Sequence, residues 1–290
     1  MKTSTEISVI SKLIGEEKAI EQIAAAGFDG WDFSMISMWE CDWGKKLYKA
    51  SEHPLAKSDY LSFAKKLRRI GDDNGIVCNQ SHAPFPCFCS EFGVIEDFLK
   101  RAIECTAEAG GEICIVHPDV YESAEENCEM HSKLLPFAKS YGVKIATENM
   151  YSWNRETNES AFGACGTAED FNRHLKLIDD EYYVACLDIG HAEIMHDGTD
   201  AVGMILALGD KLQALHIHDC DKSFDTHDLP FTKRVDFDAI VKALKSIDYK
   251  GWFTLEANGF TRMLTRDTYV AGLKTMCDTI NKIEQMFLKG

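Results

Sequence analysis

Short apolar runs rich in β-branched residues alternate along the whole chain with stretches whose apolar positions recur every three or four residues. The runs predict eight strands, at Ile7–Ile10, Gly30–Met35, Gly75–His82, Glu112–His117, Val143–Glu148, Tyr183–Asp188, Leu212–His218 and Trp252–Glu256. The periodic stretches predict helices, clearest over Val94–Ala109, where Phe98, Ala102, Cys105 and Ala109 share one face. Ser123–Tyr141, Thr167–Ile178, Asp236–Ile247 and Arg266–Phe287 read the same way. Thr167 followed by Asp170 offers a helix cap, and Gly142 and Gly251 stand just before strands, where helices end.

Strands that alternate with helices pair in parallel and define an α/β fold. Eight units, with apolar strands covered on both faces, predict a closed (β/α)8 TIM barrel better than an open sheet. No glycine-rich phosphate fingerprint follows the first strand, which argues against a dinucleotide-binding fold. No Pro/Ser/Gly linker or charge block divides the chain, so residues 1–290 read as one domain. Met38–Tyr60, with Trp39, Trp43 and His53, reads as an enlarged loop after the second strand that would lie over the barrel mouth.

Composition narrows the function. The 290 residues are 45% hydrophobic and 27% charged, ordinary for a globular protein. No apolar run approaches the roughly 18 residues of a membrane span, and the first residues do not resemble a signal peptide, so a cytoplasmic protein is expected. Lys plus Arg number 31 against 47 Asp plus Glu, a net charge of -16 that repels polyanions and disfavours nucleic acid as a partner. The eleven cysteines lack CxxC pairs and read as reduced thiols; Cys87 and Cys89 lie near the third strand's end and Cys220 near the seventh.

The chemistry lies at the strand ends. Glu148, Asp188, His216 and Glu256 close strands five to eight, with gaps of 40 (188 − 148), 28 (216 − 188) and 40 (256 − 216) residues. That spacing is near the roughly 31 residues of a barrel unit, and it brings all four to the same C-terminal rim. Three carboxylates and an imidazole converging in a partly dry pocket call for a cation. The donor set suits Mn2+, Mg2+ or Co2+, with Zn2+ also compatible. His82 and His117 end strands three and four, and His191, Asp225 and His227 follow strands six and seven. His53, His131, His174 and His196 fall on loops or helices and read as surface residues.

These pieces resemble the xylose isomerase-like barrels, which include sugar isomerases, ketose 3-epimerases, inosose dehydratases and endonuclease IV. Six segments carry the resemblance: Ser81-His82-Ala83-Pro84, Ile115-Val116-His117-Pro118, Ala138 to Asn149, Leu187-Asp188-Ile189-Gly190-His191-Ala192, Leu215-His216-Ile217-His218-Asp219 and Phe253-Thr254-Leu255-Glu256. The resemblance implies one divalent metal on Glu148, Asp188, His216 and Glu256, with Glu148 and Glu256 as general acid and base and His191 against the substrate. His216 is favoured as the ligand because an acid, Asp219, follows it by three residues; His218 with Asp221 has the same spacing and stays open. His82, His117, His218, Asp225 and His227 join the substrate-binding candidates. Lys222 stands where ketose epimerases carry an arginine toward the substrate. Trp31, Phe33, Trp39 and Trp43 are candidates for the pocket wall.

The expected function is isomerisation or epimerisation of a small sugar through a metal-stabilised enediolate. The alternatives are an inosose-type dehydratase, a multi-zinc phosphodiesterase acting on abasic DNA, and a sugar-binding barrel without catalysis. His82, His117, His191, Asp225 and His227 match the extra ligand positions of the endonuclease branch. The resemblance is also compatible with a homodimer or homotetramer.

Overall fold

The computed structural model describes residues 1–42, 45, 47–87, 92–194 and 200–289. Eight parallel strands, numbered β1–β8 in chain order, span Thr3–Glu6, Gly30–Ser34, Val77–His82, Ile113–Ile115, Lys144–Glu148, Tyr183–Asp188, Leu212–His216 and Phe253–Leu255. Neighbours in sequence are neighbours in the sheet, and β1 pairs with β8 through Thr3 and Phe253, Ser4 and Thr254, and Thr5 and Leu255. Ile217 bridges to Leu255 and closes the ring, as expected of a (β/α)8 barrel.

The first expected strand is corrected. Ile7–Ile10 lies in or beside the helix Ser8–Ile14, and the strand is the polar segment just before it. Thr3, Ser4, Thr5 and Glu6 are nevertheless all buried, because their partners lie inside the protein. Ser4 Oγ donates to Thr254 Oγ1 at 2.9 Å, and Thr5 Oγ1 donates to the Leu255 carbonyl.

Side chains alternate across each strand. Ile115, Ala146, Val184, Cys186 and Ala214 form a small apolar cluster inside the barrel, while Ile145, Ala185, Leu187 and Leu215 join the larger core between barrel and helices. Residues one step further along each inner face, Glu148, Asp188 and His216, are thereby carried to the barrel's C-terminal end. Two antiparallel hairpins follow strands β2 and β5: Trp39–Asp42 with Leu47–Ala50, and Tyr151–Asn154 with Glu159–Phe162. The first lies within the expected loop Met38–Tyr60; Trp43 is outside the described residues. No helix among the described residues is long and apolar enough to cross a membrane.

Candidate metal centre

Glu148, Asp188 and His216 end β5, β6 and β7, and Glu256 follows β8 by one residue. All four are buried, and one ligand atom of each lies within 4.8 Å of the others. His216 Nδ1 is 3.2 Å from Glu148 Oε2 and 3.4 Å from Glu256 Oε2. Its Nε2 faces Asp32 Oδ2 at 3.2 Å. His216 therefore meets the two glutamates, and His218 stands in a different group.

Two further groups adjoin this one. His82 and His117 face each other through Nε2 at 2.6 Å, with Glu148 Oε2 3.2 Å from His117. His191, His218, Asp225 and His227 form the other. Within it, His191 Nδ1 donates to the Asn149 carbonyl, His218 Nδ1 to that of Asp219 and His227 Nδ1 to that of Glu256, at 2.9, 3.2 and 2.8 Å. A neutral imidazole has one N–H, and here a carbonyl takes it. Each Nε2 nevertheless faces a carboxylate: His191 and His227 face Asp225 at 3.5 and 3.1 Å, and His218 faces Asp188 at 2.9 Å. Such contacts need a second proton on each ring or a cation in their midst. Rings held through Nδ1 by backbone carbonyls are the usual support of metal-ligating histidines.

Orphaned oxygens point the same way. Asp188 Oδ2 and Asp225 Oδ1 are buried and accept no hydrogen bond, while Glu148 Oε2 is buried with the His117 and His216 ring nitrogens, each 3.2 Å away, facing it. Burying an unpartnered carboxylate oxygen is costly, and a cation removes the cost. Burial would raise the Glu148 carboxyl, but His216 and His117 outweigh it and hold it well below its usual range. Burial pushes Glu256 up to about 8, against the opposing pull of His216 and His227 and with the help of Glu148 and Asp188. Packing the carboxylates together thus favours the neutral form of Glu256, and a divalent ion would supply the same neutralisation. These donors fit such an ion.

The remaining expected residues scatter. Trp31 is corrected as a pocket wall: on β2 it faces outward with Phe33 into the barrel-to-helix core, and a Cβ at Gly71 would lie 3.3 Å from its Nε1. Asp32, between those aromatics, faces inward. The alternation Trp-Asp-Phe in a strand was the signal for it. Trp39 stacks on Tyr48 and donates to the Phe85 carbonyl, while Phe85 packs on His117. Lys222 pairs with Glu193 at 2.5 Å. His131 and His174, expected at the surface, are buried. His131 is held by Val116 and Tyr183, and His174 by the Asp170 carbonyl. His53 pairs with Glu16 at 2.8 Å; His196 and Cys89 are outside the described residues. Cys87 and Cys220 are buried, and burial pushes the Cys220 thiol up to about 12.

A parallel eight-stranded barrel with carboxylates and imidazoles gathered at its C-terminal end defines the class as a barrel with a candidate metal centre. The chain belongs to the family described as xylose isomerase-like TIM barrel, which matches residues 20–279. Protein y4fM of Sinorhizobium fredii is 27% identical over 184 residues, covering 60% of this chain and 56% of y4fM, so the match spans little more than half of that relative. The L-ribulose 3-epimerase of Methylomonas sp. is 25% identical over 255 residues, covering 84% of this chain and 78% of the epimerase. A solved D-tagatose 3-epimerase-like protein superposes with a TM-score of 0.74 at 19% identity, covering 100% of this chain and 99% of the other.

Proposed function

We propose that the protein, as a single barrel domain over residues 1–290, isomerises or epimerises a small sugar or sugar derivative. The observation that carries this reading is geometric: two buried glutamates, Glu148 at the end of β5 and Glu256 just after β8, bring their carboxylates to 3.2 and 3.4 Å from the same His216 nitrogen in one cluster at the barrel's C-terminal end. Two carboxyl groups that converge on one point suit one base and one acid. The 3-epimerases among the similar proteins support the substrate class.

In this reading Glu148, Asp188, His216 and Glu256 hold a divalent cation, Mn2+, Mg2+ or Co2+ before Zn2+, which supplies electrophilic polarisation of a carbonyl and its neighbouring hydroxyl. One glutamate removes the proton from the carbon beside the carbonyl, giving an enediolate. The other returns a proton, to the opposite face of that carbon for epimerisation or to the former carbonyl carbon for isomerisation. Asp32 fixes His216 through Nε2, and Asn149 ties β5 to β6 by accepting from Asp188 N and donating to the Asp188 carbonyl. His82, His117 and His191 surround Glu148 and line the substrate's approach.

A second reading, phosphodiester hydrolysis at a three-ion centre, is favoured by the adjoining donor sets His82–His117–Glu148 and His191–His218–Asp225–His227. The net charge of -16 opposes a DNA substrate. Metal analysis of the purified protein together with a ketose panel assayed with Mn2+ separates the two. About one ion per chain with ketose interconversion supports the first; about three tightly held Zn2+ with cleavage of abasic DNA and no sugar turnover replaces it with the second. No ion and no effect of chelators would leave a binding barrel.

A further inference from the structure

Residues 220–235 join β7 to the helix Phe237–Ser246 and carry Asp225 and His227 to the second donor group. Apolar burial does not set the path of this segment over residues 221–228, where Phe224 alone is apolar and is exposed. Three non-glycine residues nevertheless hold left-handed backbone there, Lys222 at φ 69°, His227 at 46° and Phe231 at 69°. Such conformations persist only where the surroundings over-determine them.

Asp219, just beyond β7, is fully buried and belongs to none of the donor groups. Its Oδ1 accepts from Cys220 N and Val235 N at 2.9 and 3.0 Å, and its Oδ2 from Thr232 N and Lys233 N at 3.0 and 2.8 Å. Its own backbone exchanges hydrogen bonds with Asp228 at 2.8 and 2.9 Å. One carboxylate thus ties the start of the segment to its end, and N–H groups offered to a charged acceptor bind strongly. On the other side stands Gly259, whose N donates to the His227 carbonyl at 2.9 Å; a Cβ there would lie 2.0 Å from the Thr226 carbonyl oxygen. His227 reaches the Glu256 carbonyl through Nδ1 and Asp225 through Nε2.

We infer that Asp219 is a positioning residue: by framing residues 220–235 it sets where Asp225 and His227 stand beside Glu256, and so how a substrate is oriented there. The orienting role rests on the sugar reading of the site, whereas the frame is read without turnover.

Asp219→Asn keeps the size and one oxygen but turns an N–H2 group toward two of the four donors. In the Mn2+-loaded protein, hydrogen exchange followed by mass spectrometry should accelerate about 10- to 100-fold over residues 220–235 and stay unchanged in the eight barrel strands. Mn2+ affinity should be unchanged, because Glu148, Asp188, His216 and Glu256 all lie outside the segment. For a ketose that the unaltered protein converts, KM should rise about 10-fold with a smaller change in kcat. Gly259→Ala pushes the segment from its other side without touching Asp219, and should raise KM in the same way. Should Asp219→Asn not fold, nuclear magnetic resonance of the unaltered protein decides: the Cys220, Thr232, Lys233 and Val235 amides should share one opening free energy, and unrelated values overturn the frame. Exchange that accelerates alike across the barrel, or that stays slow over 220–235, also overturns it. Local acceleration with KM unchanged overturns the orienting role. An unaltered protein that converts no ketose would sink the sugar reading instead and leave the exchange result standing.

Discussion

Asp32 Oδ2 accepts from His216 Nε2 at 3.2 Å inside the barrel, which turns the opposite ring nitrogen toward Glu148 and Glu256. A carboxylate behind an imidazole fixes the tautomer and raises the basicity of the nitrogen in front. Gln80 Nε2 donates to the same Asp32 oxygen at 2.8 Å, so the carboxylate is itself held in place. Asp32→Asn should leave the fold intact and weaken Mn2+ binding about 10- to 100-fold, read by competition with a chromogenic chelator. Unchanged affinity would mean that His216 needs no support from β2.

Chelation should lower both activity and thermal stability. Glu148, Asp188 and Glu256 are buried together, and without a cation their repulsion and desolvation fall on the folded state. An ion present at about 100 times its dissociation constant stabilises the fold by about 2.7 kcal/mol. Melting with EDTA and after Mn2+ is restored checks this; coincident curves would argue against an ion at the centre.

Glu148→Gln and Glu256→Gln remove a proton-transfer group while preserving shape. Each should lower turnover by about 10^2- to 10^4-fold with little change in circular dichroism. Because both are also donors in the proposed centre, metal content must be measured alongside. Loss of turnover with the ion retained assigns the acid/base role, and retained turnover in both variants removes it.

Gly190 has no room for a side chain. A Cβ there would lie 1.9 Å from His218 Cε1, in the turn that also carries Asp188 and His191. Gly190→Ala should push His218 off Asp188, destabilise the protein by about 1–3 kcal/mol and weaken metal retention. Denaturant unfolding and metal analysis of the variant read both effects.

His131 makes stability depend on acid. Its Nε2 donates to the Val116 carbonyl and its Nδ1 accepts from the Tyr183 hydroxyl, so both nitrogens are satisfied in the neutral ring. Burial, with a smaller contribution from His174, lowers its pKa from 6.5 to about 3. The unfolded chain then binds the extra proton between these values. Stability from this group is full above about pH 6.5 and falls as pH drops toward 3, by about 1.4 kcal/mol per unit at most. His131→Gln should flatten the acid limb of a stability-against-pH curve by close to one proton. An unchanged slope would assign the acid sensitivity elsewhere.

The residues that could be read from sequence are those whose strands are apolar up to a terminal charge. Glu148, Asp188 and His216 follow Ile145-Ala146, Cys186-Leu187 and Ala214-Leu215, and the structure gathers them with Glu256. The first strand failed the same test because Thr3-Ser4-Thr5-Glu6 is polar on both faces, its burial supported by hydrogen bonds across the ring. His131 and His174 were misread because a helix can carry a histidine inward when backbone groups receive it. Asp32 was hidden between two aromatic residues that attracted attention to the wrong face. The hairpin Tyr151–Asn154 with Glu159–Phe162 has short, half-exposed strands whose pattern resembles that of a loop.

The pairing of Thr3–Thr5 with Phe253–Leu255 has a consequence for biosynthesis. One edge of the first strand stays unmatched until more than 250 residues have been made, and Glu256 is among the last groups to reach its place. On the ribosome the nascent protein therefore passes most of its synthesis with an open sheet and three of its four donors at most. In the proposed reading, capture of an ion would belong to the final moments of folding, after release of the C-terminal segment, when the circle is joined.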